Sequence, residues 1–184
     1  MGKVVDVEKD MTKIEQGVLL HGCNTKGIMG MGQSQALRSA FPSIFPPYKS
    51  YCQIATKMGR NILGRVVEVQ IGDKDLYVLN GLTATDYGVD GKVYADLGAI
   101  EKVVNHAAEF AGFLKIPLYM PKIGCGHGGL QWANVLSLVQ KAADDHNIDI
   151  FVCTKPNKAW EIFLPALFFD WHLAACVGNV RPIT

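Results

Sequence analysis

The sequence predicts an α/β protein with a mixed, largely parallel sheet between helical layers. Three observations carry this. Short apolar, β-branched runs alternate with segments of helical period through most of the chain. Two glycine-rich turns, around Gly30 and Gly126, each stand between a strand-like run and a helix-like run. The 184 residues are 49% hydrophobic and 19% charged, enough for one sizeable core, so a single domain is expected.

Residues 3–7 are short and β-branched and read as a first strand. Residues 16–23, built on the apolar run Val18-Leu-Leu20, read as a second. Residues 32–40 are helical, and the Pro-containing run 41–47 breaks that helix. A helix resumes over 48–58, with Tyr51, Ile54 and Ala55 spaced for one buried face. Residues 64–71 and 76–82 alternate like strands across the tight turn 72–75 and predict a hairpin. Residues 83–93 form a polar loop long enough to carry function. Residues 94–114 place Ala99, Val103, Ala107, Phe110 and Ala111 at helical spacing. A strand at 116–121, the second glycine turn at 122–129, a helix at 130–146 and a strand at 148–153 complete the pattern. The apolar tail at 160–177 is interrupted by Glu161, Pro165, Asp170 and His172. It is too short and too broken for a membrane span, which needs about 20 apolar residues. It reads as an amphipathic or buried helix.

The formal charge of +1 argues against a general nucleic-acid surface. Five scattered cysteines with no CxxC give no disulfide framework. The N-terminus has no apolar signal segment, so a reducing, cytoplasmic setting is expected.

Each turn can present main-chain N–H groups to a phosphate, because glycines allow close approach and the following helix adds a partial positive charge. The first, Gly27-Ile-Met-Gly-Met-Gly-Gln-Ser34, misses a Walker A loop by one residue, with Gln33 where the lysine should be. It misses the dinucleotide fingerprint because position 35 is Gln. The second is Ile123-Gly-Cys-Gly-His-Gly-Gly129. Two such turns at the carboxyl ends of strands in one sheet would face a common crevice, which suits a diphosphate held by main chain. If the two turns lay at opposite ends of the molecule, that reading would fail.

The residues Val5-Asp-Val7, His21-Gly-Cys-Asn24, Gly27-x-Met-Gly-x-Gly32 and Met120-Pro-Lys-Ile-Gly-Cys-Gly126, with Trp132 beyond, resemble the macro domain. Within it, they are most similar to the branch related to ADP-ribose-1″-phosphate phosphatases, which includes phage proteins. The resemblance runs from Val4 to Val152. It implies a three-layer α/β/α macro domain over residues 1–155. Residues 156–184 are then an apolar C-terminal extension, helical and packed on the domain or on a partner, another copy of the chain included.

The resemblance implies ADP-ribose or ADP-ribose-1″-phosphate as ligand, with no metal and no cofactor. It places Asp6, between Val5 and Val7, at the adenine amino group. Gly22, Cys23 and the Asn24 amide fall at the distal ribose. Met29, Gly30, Met31, Gly32, Gln33 and Ser34 fall around the diphosphate, as do Ile123, Gly124, Cys125, Gly126, His127, Gly128 and Gly129. His21 and Asn24 become candidates for the chemistry. The sequence also departs from the family pattern. Val5 stands where a glycine is usual, and no aromatic follows the last strand to stack on adenine. The branch that removes ADP-ribose from glutamate uses a lysine and an aspartate where Ala84 or Thr85 and Gly128 stand here.

Hydrolysis of a phosphate monoester needs a positioned water and a proton for the leaving oxygen. His21 can switch charge near neutrality, though a strand-end histidine bonded in the core fits the same pattern. Asp90, in the polar loop with Asp86, offers a general base, and a solvated loop is the plainer reading. His127 reads either as facing a phosphate or as a turn residue pointing to solvent. Cys125 lacks an arginine six residues on, which excludes a cysteine-phosphatase mechanism. Zinc held by His21, Cys23, Cys125 and His127 is not expected, because the one-residue gaps are unusual for such ligands.

Overall fold

The computed structural model describes residues 1–156. The reading of the apolar tail lies outside the described residues. Ten elements follow the expected alternation. They are β1 (Val4–Glu8), β2 (Gly17–Asn24), α1 (Gly32–Ala40), α2 (Phe45–Lys57), β3 (Val66–Gln70), β4 (Leu76–Ala84), α3 (Leu97–Leu114), β5 (Leu118–Met120), α4 (Trp132–His146) and β6 (Ile150–Thr154).

The strands form one six-stranded sheet in the order β1-β6-β5-β2-β4-β3. Every neighbouring pair is parallel except β3 and β4, which form the expected hairpin. A parallel sheet needs cover on both faces. Helices α3 and α4 cover one face over Val18, Leu20, Leu79 and Val152. Helices α1 and α2 cover the other over Leu19, Cys23, Val78 and Leu82. Strand β2 therefore splits its side chains by alternation between two cores and is buried along nearly its whole length. This is the three-layer α/β/α arrangement.

Local chemistry moves some boundaries. Helix α3 starts at Leu97 because Asp96 caps it, its carboxylate accepting from the Ala99 N–H at 2.7 Å. Helix α2 starts at Phe45, since Pro46 and Pro47 fit a first turn that needs no N–H donors. The buried face of α2 is Tyr48, Cys52 and Ala55, whereas Tyr51 and Ile54 stand 37% and 56% exposed. The expected face was therefore rotated by part of a turn. Tyr48 decides the rotation, because its hydroxyl donates to the Asn24 carbonyl at 2.7 Å and the ring fills the space beneath.

Candidate functional site

Strands β2 and β5 run the same way, so both glycine turns leave the sheet at one edge. Between them lies a cavity of about 620 Å³. One wall is residues 22–24, 28 and 30–34, and the opposite wall is residues 121–124 and 126–128. The end of β4 and the loop after it close a third side through Thr83, Ala84, Asp86, Tyr87, Tyr94 and Ala95. The two turns meet across the cavity. Gly32 has φ +58°, and a Cβ there would sit 3.4 Å from Nδ1 of His127.

The turns are built to leave amides available. Met31 is the N-cap of α1, and no side chain caps that helix end. The N–H groups of its first turn are therefore open to an anion. The hydroxyl of Ser34 points back to the Met31 carbonyl at 2.9 Å. In the second turn, Leu130 N–H donates to the Gly124 carbonyl at 3.0 Å and Gly129 N–H to the Gly126 carbonyl at 3.1 Å. Gly124 sits at φ +76°, which lets the chain turn tightly enough for this. Helix α4 likewise has no side-chain cap at Gln131.

His21 does not reach the cavity. It is fully buried under the α1–α2 layer and is absent from the lining. Its Nε2–H donates to Oδ1 of Asn80 at 2.8 Å, and its Nδ1 faces the Cys23 sulfur at 3.6 Å. The Asn80 amide in turn donates to the Val67 carbonyl at 3.1 Å. Burial pushes the imidazole down to about 4, against the Asn80 bond, so the ring is neutral near pH 7. It is a core histidine.

Asn24 lines the cavity, but its amide is engaged in shaping the loop. Oδ1 accepts from the N–H groups of Lys26 and Ile28, and Nδ2 donates to the Ile28 carbonyl at 2.7 Å. It positions the first turn.

Asp90 also falls outside. Its carboxylate accepts from Tyr94 Oη at 2.6 Å and pairs with Lys92 at 2.7 Å on the exposed side of the loop. Asp86 is the acidic residue that lines the cavity, and its Oδ1 accepts from the Tyr87 N–H at 2.9 Å. Val5, Asp6 and Val7 do not line it, because β1 is an edge strand separated from β2 by β6 and β5, with Asp6 exposed. Asp10, just past β1, sits at the same sheet edge as the cavity. Burial would raise its pKa, but the Thr12 N–H and hydroxyl hold it below the usual carboxylate value. Met29 is buried beneath the first turn, and Gly129 and Cys125 lie outside the lining. The Cys125 sulfur turns to the Ile123 carbonyl, and burial pushes its thiol up. Among the described residues, no three His, Cys, Asp or Glu side chains cluster as metal ligands.

Sequence reasoning missed Thr83, Tyr87, Tyr94, Ala95 and Lys122 as lining residues. The polarity of the 83–93 loop was a signal for the third wall, but not for which carboxylate turns inward.

No protein-family model matches the chain. An ADP-ribose 1″-phosphate phosphatase of Scheffersomyces stipitis is 28% identical over 156 residues, covering 74% of this chain and 90% of that one. A DNA ADP-ribosyl glycohydrolase of Mycobacterium tuberculosis is 26% identical over 130 residues, covering 68% of this chain. The match spans 34% of that relative's length. The macrodomain of Mycobacterium tuberculosis DarG superposes with a TM-score of 0.68 at 22% identity, covering 85% of this chain and all of that one. Thermosipho africanus DarTG in complex with ADP-ribose gives 0.66 at 22% identity, over 86% of this chain and 43% of that one. Sheet order, layering and these relatives agree: the chain has the macro domain fold and is similar to the ADP-ribose 1″-phosphate phosphatases and the DNA ADP-ribosyl glycohydrolases.

Proposed function

We propose that the cavity binds ADP-ribose and hydrolyses ADP-ribose-1″-phosphate to ADP-ribose and phosphate. The meeting of two amide-presenting turns across one cavity carries this reading. The amides of residues 31–34 and 126–128 hold the diphosphate, which suits a cleft with few cations. Asp10 replaces Asp6 as the carboxylate for the adenine amino group, because it lies on the cavity's edge of the sheet. The yeast phosphatase relative supports a 1″-phosphate as the reacting group.

With His21 buried, the chemistry falls to the ionisable residues that line the cavity. Among the described lining residues, His127 is the imidazole, Asp86 the carboxylate and Lys122 the cation. Asp86 takes a proton from the attacking water, whose oxygen bonds to phosphorus. The P–O1″ bond breaks, and His127 gives its proton to the leaving oxygen. Lys122 offsets charge on the transferring phosphoryl group.

Calorimetry with ADP-ribose and phosphate release from ADP-ribose-1″-phosphate test the reading together. Binding with release is expected. His127→Ala is expected to slow release about a hundredfold while ADP-ribose affinity changes only a few-fold. Binding with no release by the unaltered protein would make the chain a binding module. Unchanged release by His127→Ala would move the acid elsewhere.

Removal of ADP-ribose from DNA or protein is the second reading, favoured by the mycobacterial relative. Ala84, Thr85 and Gly128 weigh against removal from glutamate, since none carries the charge of the lysine and aspartate used there. An ADP-ribosylated oligonucleotide is expected to remain intact under the same conditions.

A further inference from the structure

Charge is unevenly divided in this chain. Between Glu15 and Glu68 there is no Asp or Glu, yet Lys26, Arg38, Lys49, Lys57, Arg60 and Arg65 all fall there. The net charge of +1 averages over this separation and conceals it. The stretch builds β2, the first turn and the α1–α2 layer. Its basic side chains are exposed. Glu68, the next carboxylate, is bonded to His106 of α3 at 2.6 Å, on the opposite face of the sheet.

The cations also share a side of α2. Phe45, Lys49, Gln53 and Lys57 follow at four-residue steps and form one stripe that leads to Arg60. Gly27 packs so close to α2 that a Cβ would lie 3.7 Å from Lys49 Cα. Arg38 lies over the Phe45 ring at 3.7 Å from its centroid, and Lys49 approaches the same ring at 5.8 Å. At the far end, Thr25, Thr56, Arg60, Asn61 and Thr85 line a recess of about 100 Å³. Thr25 and Thr85 directly follow Asn24 and Ala84 of the main cavity.

We infer that this flank of α2, from Arg38 and Phe45 to Arg60, binds a single strand of nucleic acid beside the cavity. The pattern supplies what such a strand needs: cations for successive phosphates and a polar recess for one of them. A bilayer is the poorer occupant. The exposed apolar residues Tyr51, Ile54 and Met58 sit on the other flank of α2, and a flat surface would not enter the recess. The inference stands on charge and packing and does not depend on what the cavity binds.

Fluorescence anisotropy with a labelled 20-nucleotide DNA strand and the full chain tests it, at 50 and 200 mM salt. Three phosphate contacts predict an affinity loss of about 20-fold between these salts. The triple variant Lys49→Glu, Lys57→Glu, Arg60→Glu is expected to lose at least about tenfold at 50 mM salt. The same three positions changed to Gln give a milder version that keeps the fold, and are expected to flatten the salt dependence. Lys141→Gln, on α4 across the sheet, removes a cation from the opposite layer and is expected to bind the strand as the unaltered protein does. No binding at 50 mM salt, or binding by both triple variants equal to that of the unaltered protein, overturns the inference. So does binding to vesicles of anionic lipid with none to the strand.

Discussion

Replacing Gly126 with Asp is expected to weaken ADP-ribose binding about a thousandfold and to leave thermal stability unchanged. Gly126 lines the cavity, and a Cβ built on it meets nothing within 4 Å. Its backbone lies outside the left-handed region, so a side chain brings no strain there. A carboxylate would project into the space assigned to the diphosphate. Two like charges about 4 Å apart repel by about 4 kcal/mol at the effective dielectric of a protein surface, which is about three decades in affinity. Gly126→Asn brings the same bulk without the charge and is expected to lose about tenfold. Calorimetry measures both, with a melting curve as the control. If Gly126→Asp binds normally, the diphosphate lies elsewhere and the cavity reading fails.

The second large effect concerns stability. His21 is neutral in the fold, pushed down to about 4, and titrates near 6.5 once exposed in the unfolded chain. Between those values the unfolded chain binds a proton that the folded chain refuses. Stability therefore rises with pH in this window. The neutral ring's contribution is complete above pH 6.5 and is lost as pH falls toward 4. The loss amounts to about 3 kcal/mol, or about a hundredfold in the folding equilibrium. Urea titrations from pH 7.5 to 4.5 should show this extra loss in the unaltered protein. In His21→Gln, which keeps a donor for Asn80 but cannot charge, that part of the slope should vanish. The same slope in both proteins would mean that the buried imidazole is not its source. In phosphate release at pH 7.5, His21→Gln should stay within a few-fold of the unaltered protein, because the ring lies outside the cavity.

The elements were legible because their signals are local. Apolar alternation marked β3 and β4, and helical spacing marked α3 and α4, without knowledge of what each element packs against. The paired glycine turns were legible as anion-binding loops for the same reason: strand, glycines and helix follow one another in the chain. Asp96 was less visible, since a polar residue before an apolar run is a cap only if the loop lets it reach back to Ala99. The buried face of α2 was read wrongly because Tyr51, Ile54 and Ala55 satisfy the spacing as well as Tyr48, Cys52 and Ala55 do. The Tyr48 hydroxyl breaks that tie through the Asn24 carbonyl, a partner 24 residues away.

The site divides along the same line. By itself, the sequence determined that the fold is α/β and that two glycine turns each join a strand to a helix. Only the tertiary structure decided that both turns line one cavity, that His21 is sealed in the core, and that Asp86 lines the cavity while Asp90 and Asp6 do not. The physical reason is range. Periodicity and turn chemistry are set by residues a few positions apart, whereas burial is set by whichever distant element covers a face, and strand order and layer packing appear in no local pattern.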